Sequence, residues 1–378
     1  MNPLISIIIP TKNRSEYAIP LIESILSLNE NEIEIVVQDN STDNTLHDHV
    51  HANWRENIRY FHEPKELSII ENFNLSIENS KGEYFCIIGD DDGISPFLLE
   101  YVKKAKRENI DAICWKLNFA YRWPYKSDSG HMYFFPLEKE DKIYYVENEL
   151  SEFLKNGGVY YLNYKLPKIY HGVIKREKLE LVKSQTSNYF NGLSADIYSS
   201  VALSCVITKV WSVRLPLSIS GSSPASDQTH ETKEAKQLKL EDAPHLKGRK
   251  NYIWNSLIPK VYSVETIWAE SSVQALQLMG RQQEIKKLNL NRMLAEIIIA
   301  NPQHSEYIMS EYLTKQTQGS LFYARFKIKI TIQKILIKKY VYKIIRKIIK
   351  IITNQKVELI KELPTITDAY RLIEKKNF

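Results

Sequence analysis

Short apolar runs rich in β-branched residues alternate with amphipathic segments through the first third of this sequence. Residues 4–10 form a continuous apolar run that ends in proline, as a strand buried on both faces does. Residues 17–28 then place their apolar side chains on one helical face. Strands that alternate with helices favour right-handed crossovers, so we predict an α/β fold with a doubly wound, mainly parallel sheet. The further strands are predicted at 34–38, 58–62, 84–88 and 112–117, and the further helices at 68–79 and 95–107.

The rest of the chain divides by composition. Residues 119–145 are crowded with aromatic side chains and turn formers, which favours antiparallel strands beside the main sheet. Such rings usually pack in a half-buried strand, although one or two of them could face a bound ligand. The rings concerned belong to Tyr121, Trp123, Tyr125, Tyr133, Phe134 and Phe135. We expect an α/β domain over residues 1–218, a polar loop with a helical extension over 219–320, and a basic amphipathic helical tail over 321–378.

The first glycine of the chain is Gly82, and this late position excludes two common phosphate-binding loops. The dinucleotide fingerprint GxGxxG and the phosphate loop GxxxxGK[ST] both need glycines directly after the first strand. A nucleotide bound to this sheet must therefore be held by side chains and a metal ion.

Polar residues directly follow three of the predicted strands, where open α/β sheets bind their ligands. The strongest of these signals is the triplet Asp90-Asp91-Asp92, because three successive carboxylates repel one another unless a cation or strong hydrogen-bond donors compensate them. Hard oxygen ligands suit Mg²⁺ or Mn²⁺, and Mg²⁺ usually also binds substrate phosphates, so the triplet indicates a diphosphate-bearing ligand. The alternative is a solvated acidic turn before the helix that begins near Ser95. The other residues that follow strands are Thr11, Asn13 and Arg14 after the first and Asp39 and Asp43 after the second.

Three blocks of the sequence, in this order and spacing, resemble those of glycosyltransferase family 2. They are residues 6–14, 36–44 and 82–92. The resemblance covers roughly residues 4–215. It implies a glycosyltransferase A-type, Rossmann-like fold with residues 1–218 as the catalytic domain, and an inverting mechanism. The sequence after residue 218 itself indicates a helical C-terminal region.

The resemblance also implies a set of donor-binding residues. Those after the first strand would contact the nucleoside, and Asp39 would bind the base. The acidic triplet matches the family's DxD element, with Asp92 as the metal ligand and Asp90 or Asp91 near the ribose and the metal. Metal sites of this fold often recruit a ligand from a late loop, here His230 or Asp227, although a loop histidine is commonly just solvated. The residues so predicted are Pro10, Thr11, Asn13, Arg14, Asp39, Asp90 and Asp91 for the nucleotide sugar, and Asp92, Asp90 and His230 for the metal.

Asp196 lies where the family places the acidic general base. This sequence has Ala195-Asp196 in place of the commoner Glu-Asp pair. The alternative for Asp196 is an N-cap of a helix over residues 197–203, and both roles could hold together. His171, in a segment that resembles the strand before the acceptor region, is interpreted as structural or acceptor-contacting.

The positive charge of the chain is concentrated near its end. Between Glu311 and Glu358 there are 12 Lys and Arg residues and no acidic residue, although the whole chain carries a net charge of only +6. From Ile337 onward, isoleucines and a valine recur at spacings of three and four, opposite a lysine-rich face. Such a helix suits an anionic membrane surface, which we expect residues 325–352 to contact. The alternatives are a core-packing helix with a solvated basic face, or a nucleic-acid patch, which rarely needs isoleucines.

These patterns combine into one functional hypothesis. We expect a metal-dependent, inverting glycosyltransferase that transfers a sugar from a nucleotide-diphosphate sugar to a saccharide or lipid-linked saccharide in bacterial surface polysaccharide synthesis. The chain shows no leader and no apolar span of about 20 residues, so we expect it in the cytoplasm, peripheral at the inner face of the cell membrane. Its cysteines lack the spacing of a disulfide framework or a zinc site, and no nucleic-acid partner is expected. The alternatives are a non-catalytic membrane adaptor on the same scaffold and a sugar nucleotidyltransferase.

Overall fold

The computed structural model of the chain describes residues 3–54, 58–225, 240, 244–246, 249, 252–314, 321–353, 356–376 and 378. The strands are β1 (Ile5–Thr11), β2 (Ile33–Asp39), β3 (Arg59–His62), β4 (Tyr84–Ile87), β5 (Gly93–Ile94), β6 (Ala112–Cys114), β7 (Phe119–Arg122), β8 (His131–Phe134), β9 (Lys142–Tyr145), β10 (Gly172–Lys175), β11 (Lys209–Ser212), β12 (Ser218–Ser222) and β13 (Glu358–Lys361). The helices are α1 (Ser15–Leu26), α2 (Thr45–Asn53), α3 (Ile69–Glu78), α4 (Leu98–Arg107), α5 (Val146–Lys155), α6 (Arg176–Thr186), α7 (Ala195–Leu203), α8 (Val264–Leu278), α9 (Gln282–Ile285), α10 (Leu290–Ala300), α11 (Ser305–Leu313), α12 (Leu321–Thr353) and α13 (Ile366–Lys375).

An eight-stranded sheet forms the centre of the molecule, in the order β3-β2-β1-β4-β10-β6-β11-β9. The first four of these neighbours are parallel, β10 is antiparallel to both β4 and β6, β11 is parallel to β6, and β9 is antiparallel to β11. Its central strands are buried on both faces, which explains their continuous apolar sequence. The predicted α/β fold with a mainly parallel sheet is therefore confirmed, as is a helical region after the sheet.

A second sheet of five strands, in the order β13-β8-β7-β12-β5, lies beside the acidic triplet. Strands β7 and β8 pair in an antiparallel manner, as the aromatic segment predicts. The edge of β8 is covered by β13, which comes from the far end of the chain. Helix α13 then packs against α1, with the side chains of Ile366 and Ile373 fully buried. The segment after residue 355 therefore returns to the α/β domain.

The long basic helix α12 changes its surroundings along its length. Near its start, Ala324, Ile328 and Ile335 are buried against the helical region, mainly against α10. Farther on, Lys339 forms an ion pair with the buried carboxylate of Glu296 on α10, with a distance of 2.7 Å between Nζ and Oε2. Beyond this ion pair the apolar side chains up to residue 345 are exposed. Among the residues that the structure describes, no helix is both long and apolar enough to cross a membrane.

Candidate active site

The acidic triplet lies in the loop between β4 and β5, and its first carboxylate is held by the loop after β1. Thr11 Oγ1 donates a hydrogen bond of 2.7 Å to Asp90 Oδ2, and Arg14 Nε lies 3.1 Å from Asp90 Oδ1. Burial raises the pKa of Asp90 to about 7, although Arg14 and Thr11 oppose this shift. Two residues predicted to bind the donor are therefore in direct contact with a third.

The second carboxylate, Asp91, is bound by a cation and a backbone amide. Arg14 Nη2 lies 2.8 Å from Asp91 Oδ2, and the backbone N–H of Ser223 donates to the same oxygen at 3.1 Å. Ser223 Oγ also accepts a hydrogen bond of 2.6 Å from Arg14 Nη2. Arg14 thus bridges Asp90 and Asp91, and it supplies the positive charge that the triplet was expected to require.

The third carboxylate, Asp92, is a buried acceptor of four hydrogen bonds or ionic contacts. Its Oδ1 accepts from the backbone N–H of Gly221 at 2.7 Å, and its Oδ2 accepts from the backbone N–H of Gly89 at 2.7 Å and from Tyr170 Oη at 3.1 Å. His171 Nε2 lies 3.1 Å from the same oxygen. Burial acts to raise the pKa of Asp92, but His171 and the two amides outweigh it, and the pKa lies below its ordinary value. Asp92 therefore ties β12 and the segment before β10 to the acidic loop.

His171 and Gly221 show how tightly these segments are held together. His171 adopts a left-handed backbone conformation with φ of 50°, which is unusual for a residue other than glycine. Its Nδ1 lies 2.7 Å from Ser218 Oγ, so both ring nitrogens have partners. At Gly221 a Cβ atom would overlap the backbone carbonyl of Asp91, and only glycine fits there. Of the two roles expected for His171, this arrangement favours the structural one.

Two cavities meet at this loop. The smaller, about 320 Å³, is lined by Pro10, Thr11, Asn40 and Asn72, among others. The larger, about 950 Å³, extends to Asp196. Arg14, Asp91 and Tyr170 line both cavities. An extended ligand could therefore pass from one cavity to the other across Asp91.

Two of the predicted donor-binding residues do not line either cavity. Asp39 is fully buried, and its carboxylate accepts hydrogen bonds from Tyr60 Oη at 2.7 Å and from the backbone N–H of Ser41 at 2.8 Å. Its neighbour Asn40 lines the small cavity instead. Asn13 is exposed, and its side-chain oxygen accepts from the backbone N–H of Thr42 at 2.8 Å. Both residues hold the loops after β1 and β2 in place.

Asp196 lines the large cavity from the first turn of α7. Its Oδ2 accepts a hydrogen bond of 2.7 Å from Tyr161 Oη, and its Oδ1 accepts one from Ser194 Oγ. Helix α7 begins at Ala195 with Ser194 as the N-cap. The alternative that Asp196 caps a helix beginning at residue 197 is therefore wrong. The carboxylate is instead oriented by two hydroxyl donors at the edge of a cavity.

The late-loop residues proposed as a further metal ligand, His230 and Asp227, lie outside the described residues. Within the part of the chain that the structure describes, no group of three or more His, Cys, Asp and Glu side chains is arranged to hold a metal ion. A cation at this loop would therefore depend on one or two carboxylates together with ligand oxygens.

Sequence reasoning missed several residues that line the large cavity. The aromatic ones come from distant parts of the chain and have no common spacing, and Tyr342 belongs to the basic helix α12. They are Trp115, Tyr161, Tyr170, Trp268 and Tyr342. By contrast, Tyr121, Trp123 and Phe134 of the aromatic segment are buried, as the packing interpretation predicts.

The chain shares sequence with known glycosyltransferases over its first part. Residues 6–155 match the family described as Glycosyl transferase family 2. An uncharacterized glycosyltransferase of Rickettsia felis is 38% identical over 114 residues, which make up 29% of this chain and 19% of the relative. Glycosyltransferase GlyG of Streptococcus pneumoniae is 29% identical over 138 residues, which make up 36% of this chain and 44% of that protein. The chain thus spans less than half the length of either relative.

Among solved structures, S. aureus TarS 1-349 in complex with UDP-GlcNAc is 15% identical, with a TM-score of 0.44. That alignment covers 87% of this chain and 89% of the TarS chain. The family match over residues 6–155 includes Thr11, Arg14 and the whole acidic triplet, which the structure brings together in one loop cluster. Residues 6–155 are therefore similar to the domain of glycosyltransferase family 2.

Proposed function

We propose that the protein is an inverting glycosyltransferase that transfers a sugar from a nucleotide-diphosphate sugar to a saccharide or lipid-linked saccharide acceptor. One observation carries the proposal: Asp91 lines both cavities, and the larger of them also contains Asp196. A donor that lies across Asp91 would place its sugar in the large cavity, where the carboxylate of Asp196 can act as a base.

The small cavity is assigned to the nucleoside of the donor. Thr11 and Asn40 line it, and Arg14 and Asp91 lie where it opens into the large cavity. The diphosphate would therefore lie beside Arg14, whose guanidinium suits phosphate oxygens. Asp39 supports this site through Tyr60 and Ser41, and its proposed contact with the base is not retained.

A divalent cation, Mg²⁺ or Mn²⁺, is proposed to bind with the diphosphate. Asp91 is its best ligand because this carboxylate lines both cavities, with Asp90 as a second candidate. Asp92 is the weaker candidate, because it lines only the larger cavity and its Oδ2 already accepts from Gly89, Tyr170 and His171. When bound, the cation would stabilise the negative charge that develops on the departing diphosphate. Arg14 adds a fixed positive charge to the same place.

Asp196 is proposed to deprotonate the attacking hydroxyl of the acceptor. The hydroxyl groups of Tyr161 and Ser194 donate to its two oxygens and so fix the plane of the carboxylate. A hydroxyl activated there would attack from the side opposite the diphosphate, which inverts the anomeric centre. The proton moves from the acceptor hydroxyl to Asp196, and the glycosidic bond forms as the bond to the diphosphate breaks.

The direct test is a calorimetric screen of nucleoside diphosphates and nucleotide sugars with Mg²⁺ and Mn²⁺, followed by a hydrolysis assay of the ligand that binds. We expect cation-dependent binding of one nucleotide sugar and slow release of its sugar in the absence of an acceptor. A protein that binds none of them would favour the adaptor alternative. Binding and turnover of a nucleoside triphosphate with a sugar phosphate would favour a nucleotidyltransferase.

Two matched variants test the assignment of the cation ligand. Asp91→Asn is expected to weaken cation-dependent donor binding at least about tenfold, because it removes a charged oxygen that faces the cavities. It also removes one of the two ion pairs of Arg14, which keeps Asp90 as a partner, so we expect a smaller loss of stability than in Asp92→Asn. Asp92→Asn keeps the shape of the side chain but can place an amide group where Gly89, Tyr170 and His171 meet Oδ2. We therefore expect the free energy of unfolding to fall by about 2–5 kcal/mol, with a lower melting temperature. If Asp91→Asn binds donor and cation normally while a folded Asp92→Asn protein does not, the cation belongs at Asp92.

Contact with an anionic membrane is proposed for the middle of α12. Ile337 is 62% exposed and Val341 is 47% exposed, and Ile344 and Ile345 are exposed on the same helix. Lys338 and Lys343 lie among them, while Lys339 is paired with Glu296 on α10. A stripe of exposed branched apolar side chains beside lysines matches a helix that lies in the headgroup region of a bilayer. This location would suit an enzyme of surface polysaccharide synthesis at the inner face of the cell membrane.

Replacing Ile337 and Val341 together by serine is expected to weaken binding to anionic vesicles by about tenfold or more. The two side chains are exposed, so the melting temperature should be nearly unchanged. Vesicle sedimentation at low salt, with neutral vesicles as the comparison, measures the effect. The matched control is Leu278→Ser, because Leu278 is also an exposed apolar side chain but lies on α8. Equal binding of the wild type and the double variant would contradict a membrane role for this surface.

A further inference from the structure

Lys168 is a buried lysine in the large cavity, and neither the sequence resemblance nor the proposed reaction uses it. Its side chain lines the cavity, yet the residue is only 6% exposed. Among the described residues, none forms a hydrogen bond or ion pair with its ammonium group. The ring of Tyr161 lies beside the ammonium group, with its centroid 5.7 Å from Lys168 Nζ.

The other cationic side chains at this cavity already have carboxylate partners. Lys116 and Lys165 both pair with Glu138, at 2.7 and 3.2 Å. Arg14 pairs with Asp90 and Asp91. Among the described residues that line this cavity, Lys168 is therefore the cationic side chain without a carboxylate partner.

The backbone around Lys168 is held in place by its neighbours. Leu166 and Ile169 on either side are buried, and the carbonyl of Ile169 accepts a hydrogen bond of 2.8 Å from the backbone N–H of Ile87. The carbonyl of Lys168 itself lies so close to Gly172 that a Cβ there would overlap it. The segment is thus fixed against β4 and β10, and the lysine stays at the cavity.

A lysine that is almost wholly buried and has no acceptor from the protein is unfavourable, because burial removes much of the hydration of its ammonium group. Burial lowers the pKa of Lys168 accordingly and the positive charge of Lys165 adds to the effect, although the Cys114 thiol and the Glu149 carboxylate oppose it. A sequence that needed only to fill this space would be more stable with an apolar side chain. An anionic ligand group supplies the missing partner and would restore the full charge of the lysine.

We propose that the large cavity binds an anionic group of the acceptor, a phosphate or a carboxylate, at Lys168. The proposal rests on the assignment of this cavity to the acceptor. It narrows the acceptor class to saccharides or lipid-linked saccharides that carry a negative charge near the attacking hydroxyl. Trp115 and Trp268 line the same cavity and give aromatic faces for the sugar rings of such an acceptor.

The test is a titration of inorganic phosphate into the full chain in the absence of divalent cations, with binding measured by calorimetry or ³¹P NMR. Lys168→Met keeps the length of the side chain and removes its charge, and Lys168→Arg keeps the charge. Lys139→Met is the matched control, because Lys139 is exposed and does not line the cavity. We expect Lys168→Met to lose at least about tenfold in phosphate affinity while its melting temperature stays equal or rises. Lys168→Arg and Lys139→Met should retain binding.

Equal phosphate affinity in the wild type and Lys168→Met would overturn the proposal. If Lys168→Met fails to fold, Lys168→Gln takes its place, and failure of both would show a structural lysine and overturn the proposal as well. A second arm titrates UDP with Mg²⁺ at saturating phosphate. Competition between the two would assign the anion to the donor diphosphate and overturn the acceptor assignment. A wild-type protein that binds no nucleoside diphosphate would refute the proposed function and leave the phosphate result unaffected.

Discussion

Asp196→Asn is expected to produce a folded protein that binds donor and cation normally but transfers sugar at least about a hundredfold more slowly. An amide cannot accept the proton of the attacking hydroxyl, and the loss of a positioned base typically costs about 10² to 10⁴ in rate. Because Asp196 is not the N-cap of α7, the substitution removes no capping hydrogen bond. The measurement is the single-turnover transfer rate beside the donor affinity, so that chemistry and binding are separated.

Ser194→Ala is the matched control for Asp196→Asn. It removes one hydroxyl that donates to the same carboxylate, and the Ser194 side chain makes no capping bond to the helix backbone. We expect a loss in rate of less than about tenfold, because the base itself remains and is still oriented by Tyr161. If Asp196→Asn transfers sugar at nearly the wild-type rate, the base lies elsewhere and the sequence correspondence over residues 192–198 is wrong.

The sequence predicts best those strands and helices whose apolar residues recur with the spacing of the side chains that are buried in the fold. Strand β1 and helix α1 lie within two residues of their predicted positions, because continuous burial and a one-sided apolar face leave direct marks in the sequence. Helix α2 was not predicted. Its sequence TLHDHVHAN buries only Leu46 and Val50, so its apolar periodicity is too weak to recognise.

The site was predicted in outline, but the direction of each side chain was not. Asp90, Asp91 and Asp92 are consecutive, and nothing in the sequence shows that Asp91 lines both cavities while Asp92 lines only the larger one and is held by His171 and Gly221. That division depends on β12, more than 120 residues later in the chain. Lys168 is a similar case, because its lack of a partner appears only when Glu138 is seen to serve two other lysines.

The C-terminal region shows how a strong local pattern can conceal long-range packing. The cationic amphipathic pattern of α12 correctly predicts exposed isoleucines, but it gives no sign that the short segment after it packs on the α/β domain. Strand β13 has only four residues, and its pairing with β8 spans more than 220 residues of chain. Contacts of such sequence separation leave no periodic signal.

Deleting residues 356–378 is therefore expected to unfold the protein or make it insoluble. The deletion removes Leu363, Ile366, Tyr370 and Ile373 from the core. Each fully buried side chain of this size contributes about 1.5–3 kcal/mol, so four of them approach the whole stability of a typical domain, about 5–15 kcal/mol. It also uncovers β8, which would leave an unpaired edge prone to aggregation.

The damage from this deletion should reach the donor site as well, because Ile366 packs against Gly93 directly after the acidic triplet. Circular dichroism, soluble yield and cation-dependent donor binding measure the outcome. The matched control is the Ile337, Val341 double serine variant, which changes the same region of the sequence but only at exposed side chains and should melt like the wild type. A soluble deletion variant with wild-type melting temperature and donor affinity would show that β13 and α13 contribute nothing to the α/β domain. Membrane attachment should therefore be tested with substitutions on α12, because a truncation that also removed β13 and α13 would lose binding through unfolding alone.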